Sequence, residues 1–115
     1  MEIPKHEYIR KVLGAYRRTP TTAGRVGHND RLLAAQLYDR GVPLSAVENA
    51  LILASARRIA RRRDWPPLQP IRSLSYLLPV IDEVLAVHET PDYYRELQFK
   101  VDQVLKLKMI ISQLP

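Results

Sequence analysis

The chain has 115 residues, enough for one domain with a single modest core. It contains no cysteine, which excludes disulfides, thiolate zinc sites and a cysteine nucleophile. Its net charge of +6 is unevenly placed: residues 1–63 hold 13 Lys/Arg against 5 Asp/Glu, and residues 64–115 hold 5 against 7.

Such an asymmetry points to one surface that meets a polyanion. The longest apolar run is far too short to span a bilayer, so no membrane role is expected. The opening stretch MEIPKHEYIRK lacks the apolar core of a signal peptide, and the expected setting is cytoplasmic.

In chain order, Ile3 to Arg18 is the first helical pattern. Tyr8, Ile9, Val12, Leu13 and Tyr16 form its apolar stripe, while Lys5, Arg10, Lys11, Arg17 and Arg18 fill the other faces. Gly14 weakens this helix unless a neighbouring helix packs closely there. Residues 19–29, TPTTAGRVGHN, read as a loop. Thr21, Thr22 and Arg25 are placed to meet phosphate, with a plain connector as the alternative. Asn29 or Asp30 is the expected N-cap of the second helix, Asp30 to Arg40.

Gly41 then supplies a left-handed stop, and Pro43 follows it. Ser45 with Glu48 has capping-box spacing. Leu44, Val47, Leu51, Ala54 and Ile59 recur at helical spacing, so the third helix is expected to run from Leu44 to Arg63, about 30 Å long. It ends in Arg57, Arg58, Arg61, Arg62 and Arg63, five arginines within seven residues. Arginine's planar fork pairs with phosphate bidentately. Arg58, Arg61 and Arg62 share one helical face, and Arg57 points elsewhere. Leu37, Gly41, Val47 and Leu51 resemble the positions of a helix-turn-helix. The alternative is a plain helical hairpin, since any such turn needs a glycine and facing apolar residues.

Residues 64–70, DWPPLQP, carry three prolines and must cross the surface in extended form. Trp65, the single tryptophan, is expected to anchor this crossing on the core; a stacking platform beside the arginines is the other reading. Ile71 to His88 is a fourth helical pattern, expected to be the buried central helix, with Ser73 as cap and a kink at Pro79. Thr90 caps the last helix and Pro91 opens it. Its final turns are apolar on more than one side. Leu107, Ile110, Ile111 and Leu114 are therefore the candidate interface for a protein partner or a second copy.

No catalytic constellation is present. His6, His28 and His88 lack the spacing of paired metal ligands, so no metal and no cofactor is implied. Asp82–Glu83 and Glu89–Asp92 read as solvated carboxylates rather than acid/base pairs. The phrases RLLAAQLYDRGVPLSAVENALILAS and PPLQPIRSLSYLLPVIDEVL resemble small helical proteins of unassigned function encoded beside transposase or replication genes on bacterial mobile elements. That resemblance implies a bacterial, cytoplasmic setting and a nucleic-acid context. Size, charge and helicity are also similar to the small helical subunits of RNA-guided bacterial complexes.

The expectation is thus a single all-α domain of about five helices that is not an enzyme. It binds DNA or RNA through phosphate, using Arg57, Arg58, Arg61, Arg62 and Arg63, supported by Arg17, Arg18 and Arg25. The rival reading is a protein-interaction subunit of a larger, ribonucleoprotein-type complex that uses the apolar last helix.

Overall fold

The computed structural model describes residues 3–61, 64–66 and 68–114. Five α-helices follow one another: α1 (Lys5–Arg18), α2 (His28–Asp39), α3 (Leu44–Ile59), α4 (Leu78–Ala86) and α5 (Pro91–Ser112). A 3-10 turn, Leu74–Leu77, leads directly into α4. Among the described residues there is no strand, only an isolated parallel bridge between Thr22 and Ile71. The all-α expectation holds.

The α2–α3 corner forms as the sequence dictates. Gly41 takes φ +73°, the region a Cβ disfavours. Its amide donates to the Tyr38 carbonyl at 2.9 Å, and Val42 N–H donates to the Leu37 carbonyl at 3.0 Å. Together these bonds close the end of α2. Inside the corner, the Tyr8 hydroxyl donates to the Val42 carbonyl at 2.8 Å.

The helix starts differ from expectation. Pro43, not Ser45, occupies the cap position of α3, and no side chain caps it. Gly27 precedes α2, with Asp30 three residues on. The Asp30 carboxylate accepts from Gly27 N–H and from Leu74 N–H, both at 2.9 Å. One buried acid therefore satisfies the start of α2 and ties it to the 3-10 turn.

The central helix is α3, not α4. Ala46, Ala50 and Ala54 form one small-residue ridge, with Val47, Leu51 and Ser55 beside it, and all six are buried. This broad apolar surface lets α1, α4 and α5 pack around α3. Buried Tyr8, Val12, Leu13 and Tyr16 of α1, Leu37 of α2, and Leu74, Leu77 and Ile81 complete the core.

The backbone discontinuity falls at Pro79, as a change of helix type rather than a bend. Pro79 sits in the first turn of α4, where a missing N–H costs nothing. Ser73 accepts from Ser75 N–H at 3.1 Å, and Thr90 accepts from Tyr93 N–H at 3.2 Å, so these two caps form as expected.

Candidate nucleic-acid interface

The arginines at the end of α3 divide into distinct roles. Arg57 makes a two-pronged pair with Glu83 of α4, one prong at 2.8 Å. That hydrogen bond holds the Glu83 carboxyl below the ordinary glutamate range and pushes the Arg57 guanidinium up. Arg58 donates to the Gln69 carbonyl and to the Tyr76 hydroxyl, the latter at 3.2 Å, and covers the Tyr76 ring at 5.7 Å. Arg61 lies over Trp65, 5.0 Å from the ring centroid, and its buried Nε–H has no acceptor among the described residues. Arg62 and Arg63 lie outside the described residues.

Helix α3 ends at Ile59, so Arg61 belongs to the turn after it. Packing by α1, α4 and α5 leaves α3 no broad open face of the kind a reading helix presents. Trp65 does not anchor the core. It is half exposed, and Arg61 stacks on it.

A second basic region lies on the outside of α1. His6, Arg10, Lys11, Arg17, Arg18 and Arg31 line a shallow depression of about 450 Å³ between α1 and α2, and no carboxylate lines it. The side chains converge because positions 6, 10, 13 and 17 of a helix fall on one face. Arg10 and Lys11 reach Glu7 only at 3.8 and 3.5 Å. Among the described residues, Arg17, Arg18, Arg25, Arg31 and Arg72 make no ion pair. Gly14 opens room here for its own helix, not for a neighbour: a Cβ at that position would lie 3.0 Å from the Arg18 guanidinium.

The 19–29 loop is pinned to the fold. Thr22 Oγ1 donates to the Tyr16 and Thr19 carbonyls, both at 2.9 Å. Thr21 Oγ1 shares a 3.0 Å hydrogen bond with Ser55. Ala23 N–H donates to the Ile71 carbonyl at 2.7 Å, and Ile71 N–H donates to the Thr21 carbonyl at 2.9 Å. The Thr22 hydroxyl thus holds backbone, and the Thr21 hydroxyl holds a side chain of α3. Arg25 faces Arg72 across a depression at the start of α2.

Sequence reasoning singled out Arg17, Arg18 and Arg25 but not Arg10, Arg31, Arg72 or Lys108. The helical spacing of His6, Arg10 and Arg17 was the available clue for the α1 face. Arg31 and Arg72 come from other segments and needed the fold.

Elsewhere, Asp82 pairs with Arg40 at 3.5 Å and Asp92 with Arg95 at 3.1 Å. Among the described residues, no group of three or more His, Cys, Asp or Glu converges as a metal site would. No described helix is long and apolar enough to cross a membrane. The end of α5 projects beyond the core: Leu107, Ile110, Ile111 and Leu114 are 58%, 49%, 61% and 65% exposed. No family model, no curated protein and no solved structure matches this chain.

Proposed function

We propose that the protein is a non-enzymatic nucleic-acid-binding protein that takes a phosphate backbone on the outer face of α1. One observation carries this reading: three cations without a carboxylate partner among the described residues converge there. Arg17, Arg18 and Arg31 share one depression with Arg10 and Lys11, and no acid lines it. A surface of one sign, left unneutralised by the fold, attracts polyanions and releases their counterions on contact. Arg25 and Arg72 extend the positive surface at the start of α2. Arg58 and Arg61 form a second patch whose geometry is already set by Tyr76 and Trp65.

The test is a titration against duplex DNA, single-stranded DNA and structured RNA at several salt concentrations. On duplex DNA, the triple variant Arg17→Ala, Arg18→Ala, Arg31→Ala should flatten the slope of log affinity against log salt by about 2 to 3 units. Its stability should stay within about 0.5 kcal/mol of the parent, as for other solvated substitutions. An unchanged slope in a folded variant overturns the reading.

A specific observation favours a second reading, a protein-interaction role for α5. Leu107, Ile110, Ile111 and Leu114 are all about half exposed or more, with Met109 beside them. Small monomers rarely leave such a patch open. In the second-copy form of this reading, sedimentation should show a concentration-dependent dimer that Ile110→Asp with Leu114→Asp abolishes. A wild-type chain that remains monomeric at high concentration removes that form.

A further inference from the structure

Trp65 and Tyr76 are both half exposed, and each has a guanidinium over its ring: Arg61 at 5.0 Å and Arg58 at 5.7 Å. The arrangement is held from behind. Arg58 is tied to the Gln69 carbonyl, and the crossing it grips is fastened to the 19–29 loop through Ile71. Arg58, Arg61, Trp65 and Leu68 line two adjoining grooves, of about 580 and 560 Å³. Lys108 and Thr21 also line the first, and Arg57, Tyr76 and Val80 also line the second. No acidic residue is among those lining either groove. The surface is therefore apolar and aromatic in its floor and cationic at its edges.

A duplex hides the faces of its bases, whereas an unpaired strand offers them together with its phosphates. We infer that these grooves bind single-stranded nucleic acid. Unpaired bases stack on the accessible surfaces of Trp65 and Tyr76, and the neighbouring phosphates meet Arg58, Arg61 and Lys108. Aromatic rings interleaved with arginines suit this ligand because every base has a stacking face, whatever its sequence. Volumes in the range of small-molecule sites leave room for bases rather than for a helix. The inference rests on the nucleic-acid reading above and narrows it to the strandedness of the ligand. The surface between this site and the α1 face carries Glu48 and Asp102 beside Arg18.

The chain holds one tryptophan, so its emission reports on Trp65 alone. The full chain is titrated with a twelve-residue oligothymidylate, with a duplex of equal length and with inorganic polyphosphate, which carries charge without bases. The oligothymidylate should change Trp65 emission saturably, and the duplex and polyphosphate should not. Trp65→Ala should weaken oligothymidylate binding about tenfold or more and leave duplex binding unchanged, with Trp65→Phe restoring most of the loss. Tyr76→Ala should act in the same direction. Helical circular dichroism confirms that each variant is folded. Oligothymidylate and duplex binding that is salt-dependent but indifferent to Trp65→Ala, with no change in emission, overturns the single-strand inference and leaves the phosphate reading standing. Failure of all three probes to bind overturns both.

Discussion

At the end of α3, Arg57 grips Glu83, and Arg58 grips Gln69 and Tyr76. On the outer face of α1, Arg17 and Arg18 form no ion pair with any described residue. The first region is dense in sequence and largely engaged in joining elements. The second is dispersed in sequence and is assembled by helical periodicity together with Arg31 from α2. The number of arginines in a stretch therefore does not measure the charge that a surface offers. That charge depends on which carboxylates and carbonyls the fold brings within reach. Arg57 meets an acid because α4 packs beside α3, whereas the acids of α1 and α2 do not line the α1 depression.

The largest expected effect concerns the inner face of α1, against which its outer face is defined. Burial pushes the Tyr8 hydroxyl up to about 12. An unfolded tyrosine titrates near about 10, so the folded chain holds this proton more tightly. Stability from Tyr8 is complete below about pH 10 and is lost as pH rises through about 12, a loss of about 2 to 3 kcal/mol. Melting followed from pH 8 to 11 should show about half of the fall, and Tyr8→Phe should reduce it. Tyr16 and Tyr94, also raised by burial, add in the same direction. A flat profile to pH 11 would mean that α1 is not held by its buried phenol.

The smallest effect separates the two arginine regions directly. Arg57→Ala should lower Tm by at most about 5 °C, since partly exposed pairs contribute little, and leave the salt slope of duplex binding at the α1 face unchanged. Because Arg57 holds Glu83 below its usual range, the contribution of the pair is present above the ordinary glutamate pKa and fades as pH falls through the depressed value. The exchange Arg57→Glu with Glu83→Arg should recover the melting temperature. If Arg57→Ala flattens the slope while the melt is unmoved, the contrast between the regions fails.

Much of the fold was legible because it follows from local chemistry. Gly41 marks the α2 stop, Thr90–Pro91 opens α5, and the apolar stripes give five helices without tertiary information. Misassignments arose where a residue acts across the chain. Ser45 has capping-box spacing, but the turn from Gly41 puts Pro43 at the boundary instead. Asp30 was visible as a cap candidate, but its bond to Leu74 was not. The dense apolar run of α4 suggested the central position, which fell to α3 because its alanines admit close neighbours on several sides. Trp65 is expected as a core anchor, but it lies half exposed beneath Arg61. The engagement of Arg57 with Glu83 and of Arg58 with Gln69 depends on which elements become neighbours, and the spacing of the arginines does not encode that.

The bridge between Thr22 and Ile71 works as a clasp. It fastens the two ends of the loop of chain that contains α2 and α3, and the Tyr16 hydroxyl, 3.1 Å from the Ile71 carbonyl, locks it from below. The first groove beside Trp65 is bordered by Pro20 and Thr21 on one side of the clasp and by Pro70 on the other. Whatever occupies that groove touches both halves at once. Occupancy and closure are then thermodynamically linked: a ligand that needs both halves in place holds the clasp shut and raises the resistance of the whole domain to unfolding.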